Sequence, residues 1–299
     1  MSRCFPLSCL LVLLVLFTVG CEGSSLETRP ADATIRLLLT DGPFLDDRIA
    51  RVELYIVRIT GAFSSAPGEF RTLAQPNRRF DMLTLQSGAT AELGQATVPA
   101  DLLNAVQVVI NTDSCRIVLK DGRVLDGGSL PGIQWQSYDG VPAISTFVYD
   151  PMRIADGGIT IVIDFDAGQS FTPVQVLDSA STDSSFIFTP WIRAVSEGST
   201  GSISGVYQDS SGAGVAGGQV RLLMGHPGDP ENTLSILATG KSDATGAFQL
   251  SYIVPSARWS PRAYSVSIDA PAGMEVGRIL VENVVVLTGQ VTALGTLVP

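Results

Sequence analysis

GITIVIDF, residues 158–165, alternates without a break: Ile159, Ile161, Ile163 and Phe165 point one way, Thr160, Val162 and Asp164 the other. Successive side chains of an extended chain alternate between faces, so this pattern predicts a strand with one face in a core. The same period-two texture continues outward from it, punctuated by Gly and Asp-Gly, with no sustained helical periodicity. Val52, Leu54 and Ile56 alternate until Val57 and Ile59 take over the apolar phase. Such a switch within a strand predicts a bulge, with a helix over residues 46–57 as the other reading. Asp121 and Gly122, between apolar runs at 116–120 and 123–125, predict a tight hairpin with positive φ at both turn positions. Residues 106–111 and 186–195 complete this half. Pro190 places the latter at an edge or a bulge, because proline has no N–H to give a ladder. Shorter units at 203–208, 219–224, 234–239, 247–254, 263–270 and 282–286 have the spacing of a second sandwich. The fold class is therefore all-β, with two β-sandwich domains at 33–197 and 198–299, divided at the small polar stretch EGSTGS, residues 197–202.

The amino terminus carries a different signal. Arg3 precedes an apolar run from Cys9 to Phe17, too short to span a bilayer, and Thr18, Val19 and Gly20 lead to Cys21. This resembles a bacterial lipoprotein signal peptide over residues 1–20. The resemblance implies that Cys21 becomes the first mature residue and carries a diacylglyceryl group and an amino-terminal acyl chain such as palmitate. Several acyl chains hold a protein on a membrane stably where one does so only marginally. Residues 21–32, rich in Ser, Glu and Pro, form the expected flexible tether. Glu22 is not the aspartate that resembles an inner-membrane retention signal, so the outer membrane of the cell envelope is the expected location, with the cell surface as the place of display.

Without residues 1–20 the chain has 18 basic and 29 acidic residues, a net charge of −11. The charges are scattered with no basic stripe, which argues against a nucleic-acid partner. Lipidation of Cys21 leaves Cys115 as the one remaining thiol, so no internal disulfide is expected. Cys115 opens an apolar run and reads as a small core residue rather than a nucleophile. His226, the sole histidine, lies in a polar loop without other ligands at metal spacing.

Five motifs then occur in order: TDGPF at 40–44, FDMLTL at 80–85, the Asp121–Gly122 hairpin, IDFD at 163–166 and PWIRAV at 190–195. Together they resemble domain of unknown function 4382, a module of bacterial lipoproteins. The resemblance implies a fold and an address, and no chemistry. SISGVYQD at 202–209, GQVRL at 218–222, SDATGAFQL at 242–250 and AYSVSI at 263–268 resemble a carboxypeptidase regulatory-like domain, a transthyretin-type sandwich without catalytic residues.

The candidate site residues are carboxylates and aromatics. Asp41, Asp46 and Asp47 in one loop, with Asp164 and Asp166 on one strand face, could supply oxygens to a structural calcium ion, the one cofactor the sequence suggests. The same carboxylates suit a hydrolase, the weakest of the readings, since nucleophile and P-loop motifs are missing. Trp135 and Tyr138 in GIQWQSYDG, residues 132–140, are the candidate sugar-stacking rings, while Trp191 and Trp259 read as sandwich plugs. The expected role is non-catalytic: a lipid-anchored binding or adhesion module, with the membrane as one partner and a glycan or another envelope protein as the other. An architectural spacer is the alternative.

Overall fold

Ile159–Phe165 forms the expected strand and lies parallel to Asp32–Thr40, in register from Ile35 opposite Ile159 to Thr40 opposite Asp164. Ala91–Pro99 pairs antiparallel with the other edge of Asp32–Thr40, and Ile192–Ser196 flanks Ile159–Phe165, making a four-stranded sheet. This computed structural model describes residues 32–44, 46–135, 143–155, 157–175, 184–226, 228–260 and 263–299. The expected signal peptide, Cys21, tether residues 21–31 and Tyr138 lie outside the described residues.

A larger sheet packs against the first. Its centre is the long strand Ile49–Phe63, flanked by Asp101–Ile110 and Arg116–Leu119. Ile35, Leu37, Leu39, Ile161 and Ile163 from one sheet meet Val52, Leu54, Ile56, Val106 and Val108 from the other in one buried cluster. The phase switch is a bulge: the register shifts between Ile56 and Arg58, and the helical alternative over 46–57 is not formed. The hairpin differs from its expected form. Only Gly122 takes a positive φ, 89°, and its N–H donates to the Leu119 carbonyl, so the loop has three residues closed by a left-handed glycine. Pro190 does more than mark an edge. It separates Ser184–Phe188 from Ile192–Ser196, and these join different sheets, the former pairing with Phe171–Gln175 and Ile133–Trp135.

The second half is a smaller sandwich. Ala247–Ile253, Gly201–Tyr207 and Val291–Leu297 form one sheet, and Ser235–Lys241, Gln219–Gly225, Ala263–Asp269 and Ile279–Val284 form the other. Ile203, Tyr207, Val220, Leu222, Phe248, Leu250 and Val266 fill a core separate from the first. The strand Val291–Leu297, parallel to Gly201–Tyr207, has no counterpart in the sequence pattern. Among the described residues no helix is long and apolar enough to cross a membrane.

The expectation of one buried face for residues 158–165 is corrected. Val162 is 0% exposed and Asp164 8%, although both point away from the first core. Leu38, Val162 and Val195 pack instead with Tyr252 and Val254 of the second sandwich, so the outer face of this strand is a seam between the two halves.

Candidate functional site

The parallel pairing of Asp32–Thr40 with Ile159–Phe165 brings the carboxyl ends of both strands to one rim. Asp41 follows the first strand, and Asp164 and Asp166 straddle the end of the second, so three of the five candidate carboxylates meet at the polar end of the seam. Asp41 Oδ1 accepts a 2.8 Å hydrogen bond from the Ala167 N–H. Asp166 caps the short helix Ala167–Ser170: Oδ1 accepts from the Gln169 N–H at 2.9 Å. Its Oδ2 accepts from Gln169 Nε2 at 2.8 Å and, across the seam, from Thr239 Oγ1 at 2.7 Å. Gly42 permits this approach, because a Cβ there would lie 2.8 Å from both the Asp166 carboxylate and Thr239 Oγ1.

Arg193, on the edge strand Ile192–Ser196, is the principal cross-seam link. Its Nε and Nη2 bind Asp164 Oδ2 at 2.7 and 2.6 Å. Its Nη1 donates to the Tyr252 carbonyl at 3.0 Å and Nη2 to the Ser251 carbonyl at 3.2 Å. Those carbonyls are turned out by a bulge: Gly201 pairs with Ile253 but Ile203 with Leu250, and Tyr252 sits at φ 59°. A left-handed conformation is strained for tyrosine and persists where surrounding contacts enforce it. Here the Tyr252 hydroxyl donates to the Gly88 carbonyl at 3.2 Å, and its ring joins the apolar seam.

Charge at the seam is poorly balanced. Burial raises the Asp41 carboxyl well above the usual range, and the Asp166 and Asp164 charges push the same way against the lowering Ala167 hydrogen bond. Burial also raises Asp166, offset in part by Gln169 and Thr239. Among the described residues, Asp41 Oδ2 and Asp164 Oδ1 are buried without a hydrogen-bond partner. The nearby Gln86 amide favours the Asp41 charge without bonding Oδ2. Asp41 and Asp164 line a cavity of about 40 Å³ between the sandwiches, together with Gln86, Ser87, Thr239 and Ser251.

The remaining candidates lie elsewhere. Asp46 binds Arg48, at 2.7 Å to Nη2, and that pairing lowers its carboxyl. Asp47 is largely exposed and reaches Lys241 of the second sandwich at 3.3 Å. The Trp135 ring packs on Phe188, centroids 4.8 Å apart, and edge-on against Phe171 at 6.1 Å. Trp191 is 42% exposed. Cys115 is buried and its thiol is pushed up to about 11 by burial, as suits a core residue. Arg193 and Thr239 escaped sequence reasoning. PWIRAV contained the arginine, but nothing in it named a partner 58 residues away.

The model for the domain of unknown function DUF4382 matches residues 32–190, just over half of the chain. The chain belongs to this family. The DUF4382 match thus holds Asp41, Asp164 and Asp166, whereas Arg193 lies three residues past its end. No curated protein matches the sequence. Among solved structures, the chain is similar to a 9R-lipoxygenase from Cyanothece at 12% identity and TM-score 0.23, over 44% of this chain and 19% of that one. It is similar to the shaft pilin SpaA from Lactobacillus rhamnosus GG at 9% identity and TM-score 0.23, over 90% and 96%. The fimbrial anchor protein Mfa2 from Porphyromonas gingivalis gives 8% identity and TM-score 0.20, over 83% and 82%. Superpositions this loose bear on neither fold nor role.

Proposed function

We propose that this protein is a non-catalytic module of the bacterial cell envelope, anchored by lipid on Cys21 and presenting two joined sandwiches to a glycan or another envelope protein. The observation that carries this reading is where the reactive groups are spent. Asp164 is tied to Arg193, and Asp166 to Gln169 and Thr239, all within a seam that fixes one sandwich on the other. Cys115, with its raised thiol, lies in the core. A hydrolase centred on Asp164 and Asp166 would have to break the joint to use them. The lipobox-like residues 18–21 support an anchor, and Glu22 favours the outer membrane. The likeness of residues 201–275 to carboxypeptidase regulatory-like domains supports a non-catalytic second sandwich. The bonded seam equally suits an architectural spacer, which differs in having no ligand of its own.

The test compares the intact chain with Cys21→Ser by palmitate labelling, membrane fractionation and protease shaving of whole cells. Label and membrane residence lost with Cys21, together with shaving of the parent, support a displayed lipoprotein. Membrane retention without Cys21, or full protection from protease, contradicts it. Glycan and envelope-protein capture by the shaved fragment then separates a binding role from a spacer.

A further inference from the structure

We propose that Asp41 is a proton-operated latch between the two sandwiches: its neutral carboxyl lets them dock across the cavity, and its ionisation loosens them. The inference is independent of what the protein binds at the surface.

Asp41 is 5% exposed, and the charged groups around it do not pair with it. Its Oδ1 takes the Ala167 N–H, while Oδ2 is buried without a hydrogen-bond partner among the described residues. The two cations on the cavity wall are engaged elsewhere. Arg193 gives Nε and Nη2 to Asp164 and both Nη groups to the Ser251 and Tyr252 carbonyls. Lys241, from the second sandwich, reaches Asp47 at 3.3 Å. Asp164 and Asp166, from the first, carry the wrong sign. The Tyr252 phenol, raised by burial, stays neutral and gives its hydroxyl to the Gly88 carbonyl. Thr40 Oγ1 points to the Leu85 and Ala89 carbonyls. A carboxylate taken out of water without a counter-ion gives up its charge by binding a proton. Burial raises Asp41 accordingly, against the Ala167 and Gln86 hydrogen bonds that favour the ion.

The proton suits both open oxygens. A hydroxyl at Asp41 Oδ2 is a donor, and Asp164 Oδ1, buried on the same cavity wall without a partner among the described residues, is an acceptor. The cavity of about 40 Å³ exceeds the roughly 10–15 Å³ that one water needs, so a water has room to relay the bond. Ionisation undoes this arrangement. It sets a third charge beside the two carboxylates that carry the joint. Asp164 holds Arg193 against the Ser251 and Tyr252 carbonyls, and Asp166 accepts from Thr239. It also leaves a carboxylate in need of solvent, with residues 238–241 of the second sandwich as the facing wall.

The sign follows from linkage. Below its ordinary value Asp41 is neutral whether the joint is docked or open, and the joint has its full strength. As the pH rises past that value, the open form releases its proton while the docked form keeps it, so opening gains. Above the raised value both forms are ionised and the loosening is complete. Asp166, also raised by burial, acts in the same direction. Asp46 and Asp121, held low by Arg48 and Arg123, act oppositely and only below the ordinary carboxylate range.

The test uses the full chain. At about pH 5, where an ordinary aspartate is ionised, infrared spectra are expected to contain the C=O stretch of a neutral carboxyl that Asp41→Asn removes. As the pH is raised the band disappears and the Gly88, Gly240 and Ser251 amides on the cavity wall exchange faster. The gain is up to about tenfold per pH unit beyond the intrinsic pH effect, while Leu37 and Leu222 in the two cores follow the intrinsic rate. Asp41→Asn, neutral at every pH, keeps the wall amides slow. Should it not fold, the parent decides: loss of a neutral-carboxyl band and faster wall exchange must share one midpoint. A spectrum without such a band, an acceleration that persists in Asp41→Asn, or wall exchange indifferent to the band overturns the proposal.

Discussion

Glu53 and Asp41 are both carboxylates that folding has buried, and their surroundings are opposite. Glu53 lies on the outer face of the larger sheet, directly across from Arg116, whose Nε is 2.6 Å from it. Arg51 and Arg79 stand at 3.3 and 4.0 Å, so Glu53 and its strand neighbour Asp81 are set among three guanidinia. Those arginines are about a third to a half exposed, so solvent screens the network. At the seam the surroundings are sparser: of the carboxylates Asp164 alone holds Arg193, Asp41 has the Ala167 N–H, and one oxygen of each is buried without a hydrogen-bond partner among the described residues. The first centre is complete on its own and needs nothing from the rest of the chain. The second is buried because another sandwich covers it.

Removing one arginine from each centre sharpens the contrast. Arg193→Ala is expected to have the largest effect, a loss of about 3 kcal/mol, because it strands Asp164 in a buried site and frees the Ser251 and Tyr252 carbonyls. Calorimetric unfolding then shows two transitions where the parent shows one. A variant that still unfolds in one transition near the parental midpoint would remove Arg193 from the joint. Arg116→Ala is expected to cost about 1 kcal/mol or less, since Arg51 and Arg79 remain and solvent screens the pair. Its deficit shrinks further in salt and unfolding stays single; a loss equal to that of Arg193→Ala breaks the comparison.

Much of this was legible in the chain. Alternation in residues 158–165 and the phase switch after Ile56 located a central strand and a bulge, because both depend on neighbours close in sequence. Asp41, Asp164 and Asp166 stood out as acidic residues near strand ends, and parallel pairing brought them together. Asp46 and Asp47 looked equivalent but turn outward to Arg48 and Lys241. The seam itself was hidden. Val162 reads as the exposed side of a one-faced strand, and only the bulge at Ser251–Tyr252, nearly ninety residues on, shows what covers it. Arg193 is an ordinary edge-strand arginine until those two carbonyls arrive. The strand Val291–Leu297 carries small and polar residues along a partly exposed edge, so its apolar pattern is too weak to read.

That the seam makes one body of the two sandwiches is tested most directly by a distance across it. Spin labels at Lys120→Cys and Met274→Cys, both exposed, suit a chain starting at residue 22, in which buried Cys115, its thiol near 11, does not compete for label. A single narrow distance distribution that broadens in Arg193→Ala is the expected result. A distribution already broad in the parent and indifferent to Arg193 would show two sandwiches moving freely about residues 197–200.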